Sequence, residues 1–224
     1  MDGGTAHGTG PGEIAADGSA VEFYAAMPPD ERSAALVHAA LPAGASILEL
    51  GAGAGRVTGP LVALGHPVTA VDGSAAMLAR IEGARTVRSP IEDLRLPERF
   101  DCVLMMSFLV NYGDRKALLD TCARHAAPGG LVVVQRESPA LFRDAGPREW
   151  SHDGVEFRMR DVGRPSPDVV TATIEYRMGE RTWTHSFASR RLDDEELPEV
   201  LAASGLRFDR FLDEDGGWVA ARPA

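Results

Sequence analysis

Cysteine is nearly missing, with Cys102 and Cys122 the only two in 224 residues. They stand 20 residues apart inside periodic segments, with no CxxC and no paired histidines, which favours structural thiols over a metal site or a disulfide. Long apolar runs are also lacking: none reaches the ~20 residues of a membrane span. Basic charge is in short supply. The net charge of −10 argues against duplex nucleic acid as a partner, because displacing its counterions takes clustered Lys and Arg. No internal repeat or heptad array of useful length is present. The opening MDGGTAHGTGPGEIAADGS has neither a basic start nor an apolar core, so residues 1–19 read as a disordered tail and not a secretion signal, and a cytoplasmic location is expected.

What remains is ordinary globular sequence, 44% hydrophobic and 25% charged, of a length that suits one α/β domain with decorations. After Pro28-Pro29, Asp30 can cap a helix that Pro42 and Gly44 end. Strands are expected at 45–50, 68–71, 85–88, 100–106 and 131–134, with helices at 56–64, from the Ser74 cap to Ile81, and at 115–124. Short strands apolar on both faces and alternating with helices call for a doubly wound, mostly parallel sheet. From Trp150 the period falls to two, through Val155, Phe157, Met159, then Val170, Ala172, Ile174, Tyr176, Met178, then Trp183, His185, Phe187. That period means half-buried antiparallel strands, with a tight hairpin turn at the link Met178-Gly179-Glu180-Arg181. A helix at 193–204 and a strand pair at 206–212 and 217–221 belong with the main sheet. The expected division is therefore a core of 20–137 and 192–224 interrupted by an antiparallel insertion at 138–191.

The segment ILELGAGAGRV at 47–57 runs from an apolar strand through three glycines into a helix, the mark of a nucleotide crevice. A dinucleotide fingerprint needs its third glycine where Arg56 stands, and no Gly-Lys-Ser/Thr follows for a triphosphate. Asp72 ends the second strand, 21 residues after Gly51, where a carboxylate can accept both hydroxyls of a ribose. Glu49, two residues before the first glycine, would repel phosphates and attract a cation. The implied ligand has a ribose, no phosphate and some positive charge, as S-adenosylmethionine does.

With ELGAGAG at 49–55, AVDGSAAML at 70–78, SPIEDL at 89–94, FDCVLMMSFLVN at 100–111 and PGGLVVV at 128–134, the chain resembles the class I S-adenosylmethionine-dependent methyltransferases over roughly residues 20–136. The resemblance implies a Rossmann-like sheet of seven strands. It also implies that Gly51, Ala52, Gly53 and Gly55 line the methionine part of the cofactor and that Asp72 holds the ribose. Gly73, Ser74 and Met77 would lie against the adenine, with Ile91 and Glu92 on its other side, though Met77 is equally readable as core. Met106 and Ser107 would face the methionine near the methyl group. Tyr24 resembles an aromatic that some members fold over the cofactor. Many members carry Asp where Pro90 stands, so Glu92 or Asp93 would have to take its adenine contact.

Methyl transfer from a sulfonium is an in-line displacement, which demands alignment and exclusion of water more than a protein nucleophile. Near the mouth, Asn111, Tyr112, Arg136, Glu137 and His152 are the candidates; His152 is either a base or a surface loop histidine, and Tyr112 either touches the acceptor or packs under a loop. No metal is expected. The insertion should choose the acceptor, an amine or hydroxyl of a small metabolite, natural-product intermediate or short peptide, and its aromatic face serves either as a lid or as a homodimer contact. Two rivals stand beside this reading: a partner subunit that binds the cofactor without catalysis, and an NAD(P)-dependent oxidoreductase, which Arg56 and the lack of a Tyr-x-x-x-Lys pair disfavour. A nucleic-acid methyltransferase is disfavoured by the acidic balance and by Met105-Met106-Ser107-Phe108 where an Asn-Pro-Pro-Tyr-like sequence would stand.

Overall fold

A computed structural model describes residues 7–224. In chain order the elements are β1 (His7–Thr9), α1 (Val21–Ala26), α2 (Glu31–Ala39), β2 (Ile47–Leu50), α3 (Thr58–Ala63), β3 (Val68–Asp72), α4 (Ala75–Leu78), β4 (Arg85–Arg88), β5 (Phe100–Met105) and α5 (Leu109–Tyr112). They continue with α6 (Arg115–His125), β6 (Ala126–Gln135), α7 (Pro139–Asp144), β7 (Arg148–His152), β8 (Val155–Ser166), β9 (Val169–Met178), β10 (Arg181–Arg190), α8 (Leu197–Ala202), β11 (Leu206–Phe211) and β12 (Trp218–Pro223). Two compact units result, one from Pro29–Ser138 with Leu192–Ala224, the other from the segment up to Pro28 with Pro139–Arg191.

The first unit, the core, holds a seven-stranded sheet in the order β11-β12-β6-β5-β2-β3-β4. Strands β2 to β6 are mutually parallel, and β12 and β11 extend the edge antiparallel. Leu48, Leu50, Val103, Met105, Val132 and Val134 face α6 and α8, which contribute Leu118, Leu119, Cys122, Leu197 and Leu201. Ile47, Cys102, Leu104, Leu131 and Val133 face α2 and α3 through Ala34, Val37 and Leu61. Cys102 and Cys122 are free and buried, and burial pushes both thiols up, that of Cys122 to about 12. The chain builds outward from β2 through β3 to β4 and then returns to β2's other side with β5. That reversal falls between β2 and β5, and in such sheets the usual place for a ligand is beyond the carboxyl ends of the strands where the order reverses.

Arg136, 1% exposed, ties the core shut where the chain leaves and re-enters it. Its guanidinium donates to the Gly216 carbonyl at 2.8 Å and the Leu192 carbonyl at 2.7 Å, pairs with Asp194, and stacks 5.3 Å from the centre of the Phe211 ring.

The second unit is a five-stranded antiparallel sheet in the order β1-β10-β9-β8-β7. Its hairpin turn has Gly179 at φ 61°, the positive angle that a two-residue hairpin loop asks of its first central residue. One face carries Tyr176, Trp183 and Val155 and is covered by Ala20, Phe23 and Met27 of the α1 region, with the Phe23 ring stacked 4.5 Å from Tyr176. Helix α1 therefore packs with the antiparallel sheet, although its sequence position suggested the core.

The expected tail also differs: residues 1–6 lie outside the described residues, but His7–Thr9 pair with Thr184–Ser186, and the Trp183 indole donates to the Pro11 carbonyl at 2.8 Å. The glycines there serve close approach instead of disorder. A Cβ on Gly8 would lie 1.9 Å from the Gly18 carbonyl oxygen, and one on Gly10 would lie 2.4 Å from the Trp183 ring. Among the described residues no helix is long and apolar enough to cross a membrane.

Candidate active site

Strand β2 ends in a glycine turn whose backbone only glycine adopts without strain: Gly51, Gly53 and Gly55 have φ of 73°, 54° and 82°. The amides of Gly51 and Ala52 both donate to the Val71 carbonyl at 2.9 Å, which draws the turn towards the end of β3. Around Gly53 there is open space, whereas a Cβ on Gly51 would lie 2.6 Å from Leu109 Cδ1 and 3.7 Å from Ile91 Cδ1. Gly51→Ala is therefore expected to cost roughly 1–2 kcal/mol from the left-handed backbone alone, read as a lowered midpoint in urea, and an unchanged midpoint would contradict this geometry.

Asp72 closes β3 beneath that turn. Its carboxylate accepts from Gly53 N–H at 2.9 Å and from Ser74 N–H at 2.8 Å, so two amides from two different loops fix its orientation. Ser74 caps α4 by accepting from Met77 N–H at 3.2 Å, and Arg88 Nε donates to the Gly73 carbonyl at 3.2 Å. Met77 is buried, Ile91 half-buried, and Glu92 exposed with its carbonyl accepting from Arg95 at 3.0 Å.

Glu49 is 3% exposed, facing α3 because alternate residues of β2 point to alternate faces of the sheet. The Thr58 hydroxyl donates to it at 2.6 Å. Burial raises its carboxyl to about 7, against the lowering effect of the Thr58 hydrogen bond, and the Asp72 charge pushes it further up.

Beyond β5 the chain turns sharply. Ser107 and Phe108 take φ of 56° and 58°, a left-handed pair that costs about 1 kcal/mol or more per residue. Gln135 Oε1 accepts from Ser107 N–H at 2.9 Å, and Asn111 Oδ1 accepts from Glu137 N–H at 2.8 Å. The Tyr112 hydroxyl donates to Glu137 Oε1 at 2.6 Å.

The core thus brings together Glu49, Gly51, Ala52, Gly53, Gly55, Asp72, Gly73, Ser74, Met77, Ile91, Met106, Ser107 and Tyr112 at the carboxyl edge of β2, β3, β4 and β5 or in the loops and short helices that follow. Tyr24 and His152 belong to the antiparallel unit. Tyr24 sits edge-on to Phe23 at 5.2 Å, and His152, largely exposed on the edge strand β7, stands 3.2 Å from Asp153. Sequence reasoning missed Thr58, Leu109 and Gln135. The one visible signal was Gln135, a polar residue ending the apolar run LVVV.

A family model described as a methyltransferase domain matches residues 48–134. The ubiquinone biosynthesis O-methyltransferase of Nitrobacter winogradskyi is 34% identical over 100 residues, 41% of this chain and 38% of that protein. The cypemycin N-terminal methyltransferase of a Streptomyces species is 35% identical over 113 residues, 46% of each chain. The chain thus spans less than half the length of these relatives in the matched part. Among solved structures, the amino pentose methyltransferase CalS10 of Micromonospora echinaspora, bound to S-adenosylmethionine, superposes with a TM-score of 0.68 at 23% identity, over 92% of this chain and 93% of that one. Residues 48–134 of the core unit thus match a methyltransferase domain, and the chain shares its fold with solved methyltransferase structures.

Proposed function

We propose that the chain moves a methyl group from S-adenosylmethionine to an amine or hydroxyl of a small metabolite, natural-product intermediate or short peptide. The observation that carries this reading is the pairing of Asp72, aimed by the Gly53 and Ser74 amides, with open space at Gly53 and a buried carboxylate at Glu49. These residues fit the cofactor: a diol acceptor, backbone bare enough for close approach, and negative charge for a cationic methionine end. When bound, the cofactor supplies a methyl group on a sulfonium, open to in-line displacement.

In this reading Asp72 holds the ribose, and Gly51, Ala52, Gly53 and Gly55 line the methionine portion with Met106 and Ser107. Gly73, Ser74, Met77, Ile91 and Glu92 flank the adenine. Tyr112 serves the acceptor through a hydroxyl whose direction its bond to Glu137 sets. The antiparallel unit selects the acceptor. The names of the matched relatives span an O-methyltransferase, an N-terminal methyltransferase of cypemycin and an amino pentose methyltransferase, which supports an acceptor at either nitrogen or oxygen.

Calorimetric titration with S-adenosylhomocysteine and with NAD, followed by a radiolabelled methyl-transfer screen over amines, hydroxyls and short peptides, tests the reading. Saturable binding of S-adenosylhomocysteine alone, with label in at least one acceptor, is the expected result. Binding without transfer to any acceptor would favour a non-catalytic partner subunit, and NAD binding would overturn the assignment.

A further inference from the structure

We propose that Gln135 is a positioning residue for the cofactor site, acting through the turn after β5; the proposal rests on the cofactor reading above. Four non-glycine residues have positive φ among the described residues, namely Ser107, Phe108, Asp153 and Asp161. Aspartate tolerates this conformation by bonding its own backbone, and Asp153 precedes Gly154 in a hairpin turn. Ser107 and Phe108 have no such excuse, and they are consecutive, one of them bulky.

A strained pair persists only where its surroundings over-determine it. Here Gln135 Oε1 accepts from Ser107 N–H at 2.9 Å, and Asn111 N–H donates to the Phe108 carbonyl at 2.8 Å. Gln135 is one residue past Val134, which lies opposite Met105 across the β5–β6 ladder, so its side chain stands level with the start of the turn. The turn delivers Leu109 against the glycine loop, with Leu109 Cδ1 2.6 Å from where a Gly51 Cβ would be. The amide of Gln135, the Ser107 N–H, the left-handed pair and Leu109 form a continuous path to Gly51. Gln135 thereby sets the shape of the loop that lines the methionine end without touching the cofactor itself.

The test titrates the full chain with S-adenosylhomocysteine and records thermal melting. Gln135→Leu keeps the bulk and removes the acceptor, and affinity should fall roughly tenfold while the protein still melts cooperatively. Gln135→Glu offers an oxygen to the same N–H and should stay within about threefold of wild type. Adding Ser107→Gly to Gln135→Leu should recover part of the loss, because glycine adopts the left-handed conformation without the hydrogen bond. Wild-type affinity in Gln135→Leu, or an equal loss in Gln135→Glu, overturns the proposal. A wild-type chain that binds no S-adenosylhomocysteine overturns the cofactor reading and this inference with it.

Discussion

Asp72→Ala should weaken S-adenosylhomocysteine binding by about 100-fold or more, the largest loss from any single substitution in the core. A charged acceptor contributes roughly 1.5–3 kcal/mol per hydrogen bond, and a ribose offers it two hydroxyls, so the expected loss is near 3 kcal/mol or above. The same carboxylate accepts from Gly53 and Ser74 amides, so its removal also unties the glycine turn from the β3–α4 loop. Asp72→Asn separates the two effects. It retains one oxygen for one partner and should fall between wild type and alanine, about tenfold down. Calorimetry reads both variants, and an alanine variant that binds as tightly as wild type would falsify Asp72 as the ribose residue.

Glu49→Gln should move stability and cofactor affinity in opposite directions. In the folded chain the Glu49 carboxyl is raised by burial from the ordinary 4.5 to about 7. The fold therefore binds a proton there that the unfolded chain has released. Stability from this group is full below about pH 4.5, is lost as pH rises towards 7, and levels off above it. The difference is on the order of 3 kcal/mol at most. Glutamine resembles the protonated acid and can still accept from the Thr58 hydroxyl, so it should abolish the pH slope and raise the melting temperature at pH 8 by roughly 5–10 °C.

Binding runs the other way, because a cationic methionine end favours the ionised carboxylate. Wild-type affinity for S-adenosylmethionine should rise with pH up to about 7 and then level, while the glutamine variant stays weaker and flat. A variant less stable than wild type at pH 8, or one with an unchanged slope, would show that burial does not dominate at Glu49. The stabilising substitution being the one that impairs binding is the usual signature of a charge held in place for a ligand.

Much of the core and the hairpin of the antiparallel sheet were legible because their signals are local. Asp30, Ser74 and Gly179 take the cap and turn roles that their types and spacing indicate, accepting from Ser33 N–H at 3.0 Å, from Met77 N–H at 3.2 Å, and adopting a positive φ. Strand β4 falls at Arg85–Arg88, as expected, and the late strand pair joins the sheet edge through β12. The N-terminal segment was not legible. Glycine enrichment reads as disorder, and only the Trp183 ring and the Gly18 carbonyl, set opposite by tertiary structure, show that those glycines are contacts. Thr58, Leu109 and Gln135 escaped for a related reason. Each acts across a loop or between strands, on Glu49, Gly51 and Ser107 in turn, and sequence spacing carries no such distance.

The clamp at Arg136 has a consequence for the order in which the molecule can be completed. Its partners at Leu192 and Gly216 lie 56 and 80 residues downstream, so the bonds cannot form until the chain has been made well past the antiparallel strands. Closing a flexible loop of 56 residues costs roughly 3–4 kcal/mol in chain entropy. That cost shrinks if the strands inside the loop have already paired and drawn its ends together. The two units are interleaved in sequence, and during synthesis the antiparallel one has all its residues at Arg191, while the core still lacks β11 and β12. A nascent chain from which Arg191 has just emerged would be able to pair all five antiparallel strands while its core is still open at the β6 edge, with Arg136 waiting for its carbonyls.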